Sequence, residues 1–187
     1  MAESGHFFVS FSFFFVKITP YLLSDDGAIP NNSLPLLVYS KAFEFGSMNR
    51  TQTIERIFSS HGWSGLWRNG IYAFQHYHST THEVLVCSCG KAKVLLGGEK
   101  GILLSVRTGD VLLIPAGVGH FNKGSTSDFA VVGGYPPGFS CDMCYGDADE
   151  RPSKLKNIAA LPLPAEDPVL GRAGGLKEYW TKLNIDG

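Results

Sequence analysis

Apolar positions along the chain fall into short runs rather than long periodic stretches, and their character changes at about residue 70. From Gly70 to Tyr135 they read as strands: "GIYAFQHYH", "EVLVCSCG", "AKVLL", "ILLSV", "DVLLIP", "HFN" and "DFAVVGGY". Gly-containing turns such as the one across 96–101 separate several of them. Seven or so short strands at close turn spacing predict an antiparallel sandwich or barrel. Before this region, six of the nine residues from Phe7 to Phe15 are Phe. That segment has the composition of an opening strand, although nothing shows a pairing partner and an exposed strand of this kind invites aggregation. The stretch Leu22 to Pro35 is dense in turn residues and predicts an ordered arm or loop. A helix is expected at about 50–61: Asn49 or Thr51 can cap it, Ile54, Ile57 and Phe58 share a face, and Gly62 can end it. After Tyr135 the only periodic segment is Leu176 to Leu183, which predicts a terminal helix.

The expected organisation is one mainly β domain. It comprises a Phe-rich extension over 1–21, an arm with a short helix over 22–69, a barrel core over 70–135, and a C-terminal extension over 136–187. The length of 187 residues and an apolar content of 44% suit one sizeable core. Sixteen basic and seventeen acidic residues give a formal charge of −1, so the basic footprint of a nucleic-acid binder is missing. The longest strongly apolar run, Phe7 to Val16, falls well short of the roughly 18 residues that cross a bilayer. Glu3 and the absence of Lys or Arg before that run argue against a secretory leader, so a cytoplasmic protein without membrane partners is expected. Four Cys are too few for a disulfide scaffold and fit a reducing compartment. In that compartment the glycosylation-type sequence at Asn31 carries no weight.

Four of the six His (His61, His76, His78, His82) lie close together. His76 and His78 are two apart in a segment of strand character, and residues at that spacing point to the same face. Glu83 follows shortly, and His120 opens a later strand behind the turn "PAGVG". Three imidazoles and one carboxylate inside a β-barrel form a four-ligand set for a divalent first-row ion: Fe, Mn, Ni, Cu or Zn. The competing view is a set of satisfied core polar groups, but four ionisable side chains converging in a small barrel are costly to bury without a cation.

Two motifs now stand in order: Gly70-x5-His76-x-His78-x4-Glu83-x6-Gly90, and Gly109-x5-Pro115-x-Gly117-x2-His120. With them the chain resembles the cupin superfamily, and the resemblance implies a jelly-roll β-barrel (double-stranded β-helix). The Asn that usually closes the second motif is replaced by Gly124, with Asn122 two residues early; this departure does not touch the ligands. Segments such as "HGWSGLWRNGIY", "HYHSTTHEVL", "DVLLIPAGVGH" and "DFAVVGGYPPG" look like the YjlB-like cupins over about Leu22 to Trp180. That likeness implies fold and metal site, implies a homodimer, and implies almost nothing about substrate.

Other residues carry open alternatives. His82 is either second to Glu83, orienting a ligand, or a surface or hydrogen-bonding residue, and in motif variants one residue shorter the carboxylate would fall at its position. His61 suits a helix C-terminus. Tyr72 and Phe74 share parity with His76 and His78, so both are expected to face the barrel interior if no bulge intervenes. Tyr72 is a candidate proton donor or substrate-orienting residue, and Phe74 a pocket or core aromatic. Trp63, Trp67 and Arg68 precede the strand and are expected to rim the mouth, Arg68 facing a carboxylate, a phosphate or a structural salt bridge. Cys141 and Cys144 have redox-pair spacing and, with Cys87 and Cys89, raise a four-thiolate site against the simpler expectation of free thiols. Gly97-Gly98 and Gly133-Gly134 read as turns or bulges.

Two function classes follow. One is a metal-dependent enzyme on a small oxygen-rich molecule, of dioxygenase or isomerase/decarboxylase type. The other is a non-catalytic cupin that binds a sugar or organic acid.

Overall fold

A computed structural model describes residues 16–180. In chain order these form β1 (Lys17–Leu23), β2 (Asn32–Ser40), α1 (Arg50–Ser60), β3 (Ser64–Asn69), β4 (Glu83–Cys89) and β5 (Lys91–Leu96). There follow β6 (Ile102–Arg107), β7 (Val111–Ile114), β8 (His120–Ser125), β9 (Ala130–Tyr135), α2 (Arg151–Ala160) and a single π-helical turn at Leu176–Trp180. The expected Phe-rich strand lies outside the described residues, as does the end of the expected terminal helix beyond Trp180.

The strands build two antiparallel sheets, β1-β2-β7-β4-β9-β3 and β6-β5-β8. They are not hydrogen-bonded into a closed barrel; they face each other as a jelly roll. One face of the large sheet contributes Leu36, Leu85, Leu112, Ile114 and Val131 to a core shared with Val94, Leu96 and Val106 of the small sheet. Its other face carries Leu37, Tyr39, Val84, Val86, Val111 and Val132, covered by Ile54 and Phe58 of α1 and by Leu176 and Trp180. Burial on both faces explains why β4, β7 and β9 read as unbroken apolar runs rather than alternating ones. It also fixes parity: odd residues of β4 face the small sheet and even ones face α1.

α1 occupies the expected span, with the Asn49 side chain accepting from the Gln52 amide. His61 is its C-cap residue, and its Nδ1 lies 2.9 Å from the Pro168 carbonyl. Several expectations are corrected. Strand structure begins well before residue 70: β1 and β2 flank the turn-rich stretch, and β3 contains Trp67 and Arg68 rather than preceding the first strand. The stretch 70–82 is not a regular strand and holds only the bridges His76–His120 and Tyr77–Cys144. Gly133 and Gly134 are no bulge; they lie within β9. A Cβ at Gly133 would come within 2.2 Å of the Trp67 ring, so this glycine makes room for Trp67 on the inner face. The bulge in the β3–β9 pairing is in β3, between Ser64 and Trp67, where Gly65 has φ +61°. Gly97 and Gly98 do form the turn between β5 and β6, both with positive φ. Helix α2 was not anticipated because none of its residues is buried, so it has no apolar stripe to read.

Candidate metal centre

The two motif histidines before β4 are held in an irregular segment by backbone pairing at the edge of β8. His76 and His120 exchange both amide-to-carbonyl hydrogen bonds, at 3.3 and 2.9 Å. The Gly117 amide donates to the His78 carbonyl at 2.8 Å, tying the same segment to the turn that delivers His120. Glu83 arrives from the opposite sheet, as the first residue of β4 with inward parity. The i, i+2 spacing thus brings His76 and His78 together even though the segment is not a strand.

The ligand atoms of His76, His78 and His120 all lie within 4.8 Å of one another, and all three rings are buried. It is the sole such group of His, Cys, Asp or Glu among the described residues. Each Nδ1 lies beside a backbone carbonyl: Phe74 at 3.1 Å, Asp142 at 2.5 Å and Val118 at 3.3 Å, respectively. A carbonyl only accepts, so each Nδ1 carries the proton and each Nε2 is left with a lone pair. Glu83 Oε2 is 3.3 Å from His120 Nε2 and 3.7 Å from His78 Nε2, yet it has no hydrogen-bond donor.

Burial sets the charge states. It pushes the His76 imidazole down to about 4, against the opposing hydrogen bond to Phe74. It pushes His120 well below its ordinary value, helped by His76 and His78. The Glu83 carboxyl is driven up by burial, opposed by His78 and by a hydrogen bond with Tyr135. The Nε2 atoms of His76, His78 and His120 thus converge on a Glu83 oxygen that has no hydrogen-bond donor, in a site where burial makes an uncompensated carboxylate costly. A divalent cation suits that donor set, since it replaces the missing hydrogen donors and neutralises the carboxylate. These residues fit such an ion.

Beside the cluster lies a cavity of about 300 Å³. Tyr72 borders it and is 50% exposed, stacked on the 40% exposed Phe74 with ring centroids 4.9 Å apart. The two aromatics therefore sit at the rim instead of in the interior, because the chain there is not a pleated strand. Phe74 meets the cluster through its ring, 5.4 Å from that of His76, and through its carbonyl. Arg68 also borders the cavity but is exposed. It pairs with Val132, whose side chain faces α1, so the Arg68 side chain leaves β3 on that side. His82 has the opposite parity to Glu83. Its Nδ1 accepts from the Ala116 amide at 3.1 Å and its ring packs against Trp180, away from the three imidazoles.

Sequence reasoning missed Tyr135 and Asp142. Tyr135 extends β9 past Gly134 on the inner face, across from Glu83 in register. Its hydroxyl accepts from Trp67 Nε1 at 3.0 Å. Alternation counted inward from Val131 identifies it once register is known. Asp142 accepts from the Ser79 amide (2.7 Å), Ser79 Oγ (2.6 Å) and Lys154 Nζ (2.9 Å), while its carbonyl accepts from His78. No local pattern announces such a loop anchor. The four cysteines are free thiols.

A cupin family model matches residues 67–135. The chain is 43% identical over 163 residues to "Uncharacterized protein YjlB" of Bacillus subtilis (strain 168), an alignment spanning 87% of this chain and 96% of that relative.

Proposed function

The chain belongs to the cupin superfamily, beside YjlB, and from that premise we propose a divalent-metal-dependent enzyme acting on a small oxygen-bearing molecule. The observation that carries this reading is the convergence of three Nε2 lone pairs with a buried Glu83 oxygen that has no hydrogen donor. Fe, Mn, Ni, Cu or Zn suits the set, held by His76, His78, His120 and Glu83. Such an ion supplies Lewis acidity or, if redox-active, dioxygen chemistry, giving an isomerase/decarboxylase or a dioxygenase.

The chain's own residues do the rest. Carbonyls of Phe74, Asp142 and Val118 hold the three rings in one tautomer and orientation. The Tyr135 hydroxyl takes its hydrogen bond from Trp67, which leaves its own proton to donate toward Glu83. Tyr72 at the mouth orients what enters.

The Mn(II)-loaded protein should enhance water-proton relaxation, because an enzyme needs exchangeable coordination positions. The metal-stripped protein should still melt cooperatively. Absence of enhancement, or unfolding on stripping, contradicts the enzyme in favour of a structural ion. Binding of small acids or sugars with no turnover under either oxygen-uptake or isomerisation assays supports the non-catalytic alternative.

A further inference from the structure

Away from the four metal-facing side chains, the inner part of the cavity wall is apolar, formed by the Trp67 ring, Ile71, Leu85, Met143 and the ring of Tyr135, whereas the exposed Arg68, Asn69, Tyr72 and Cys141 line its mouth. The buried polar group of this inner wall apart from the metal-facing side chains, the Tyr135 hydroxyl, already accepts from Trp67 and has its proton directed toward Glu83. Arg68, the one basic side chain other than His among the lining residues, is directed to the far side of β3 by its register. The inner wall therefore offers no basic group for a phosphate or a second carboxylate. Hydroxyls of a polyol would be stripped of water against hydrocarbon, which is unfavourable wherever no partner replaces it.

Charge points the same way. A divalent ion with three neutral imidazoles and one carboxylate carries a net charge of about +1, which one negative charge on a ligand balances. We propose that this cavity takes a compact chelator with an apolar body, a ring or short branched chain, presenting two adjacent oxygens with a single negative charge. Sugars, phosphorylated compounds and polycarboxylates are disfavoured. This inference rests on the metal reading above. The volume of about 300 Å³ suits a molecule smaller than most drug-sized ligands.

The test uses the full chain loaded with Co(II), whose visible spectrum reports both loading and ligand exchange. Three probes share one bidentate head: acetohydroxamate, glycolohydroxamate and benzohydroxamate. Affinities are taken relative to those for free Co(II). The expected result is benzohydroxamate at least tenfold tighter than the other two, as burial of a phenyl group implies. Trp67→Ala should reduce that preference at least threefold with acetohydroxamate unchanged. Because Trp67 also packs on β9, Met143→Gln is the second variant; it makes the wall polar at similar size and should shrink the preference likewise. Equal affinities, or glycolohydroxamate the tightest, overturn the proposal while stoichiometric Co(II) uptake leaves the metal reading standing. Failure to take up Co(II) overturns both.

Discussion

A histidine ligand is useful only when its second nitrogen is held, and here the main chain does the holding. Two of the carbonyls, Phe74 and Val118, belong to residues two before the histidine they orient. The third comes from Asp142, 64 residues away, whose carboxylate is anchored to Ser79 and Lys154. Partial burial pushes the Asp142 carboxyl up, but hydrogen bonds from Ser79 and Lys154 outweigh it and hold it well below the usual carboxylate range. Its folded-state value lies below the unfolded one, so its contribution is complete above about pH 4 and is lost as pH falls through the folded value. Asp142→Asn should cost about 1–3 kcal/mol at pH 7 by urea unfolding, and the gap to wild type should close below about pH 4. A constant gap down to acid pH would contradict the assignment. At this scale the three His and Glu83 were legible from spacing alone. Tyr135 and Asp142 were not, because their roles depend on strand register and on a loop closing across the sequence.

The elements show which motif glycines the architecture requires. Gly117 has φ +87°, and a Cβ there would sit 2.4 Å from the Asn31 carbonyl oxygen. Gly70 has no positive φ and open space around its Cβ position. Gly117→Ala should therefore destabilise by about 2 kcal/mol or more and loosen the turn before His120, whereas Gly70→Ala should be close to neutral, both read by thermal melting. Equal effects would contradict this account of the turn. The strands β4, β5, β6, β7 and β9 and the helix α1 were legible because burial writes an apolar run or stripe into each. α2 and β3 were not: every α2 side chain is at least partly exposed, and β3 is a half-exposed edge strand broken by a bulge. The irregular 70–82 segment imitated a strand in composition, and that misplaced Tyr72 and Phe74.

Across the whole molecule, the C-terminal segment completes the fold by covering the outer face of the large sheet. Buried Asp167 fastens it: one oxygen accepts from Tyr39 OH at 2.5 Å and from the Leu176 amide at 3.2 Å. The other accepts from the Val169 and Leu170 amides, both at 2.9 Å. Asp167→Ala should cost about 3–5 kcal/mol and raise dye binding to newly exposed apolar surface, while a change below about 0.5 kcal/mol would show that the cap is held otherwise. No described helix is long and apolar enough to cross a membrane. All these layers serve one arrangement, three imidazoles and a carboxyl group meeting between two sheets, and metal content tests it most directly. Untagged protein prepared without chelators, and its His76→Ala/His78→Ala variant, should be compared by elemental mass spectrometry after reconstitution with first-row ions. About one equivalent of Fe, Mn, Ni, Cu or Zn per chain in the parent, and its loss in a folded variant, is the expected result. No stoichiometric metal in the reconstituted parent, or equal metal in both, would contradict it.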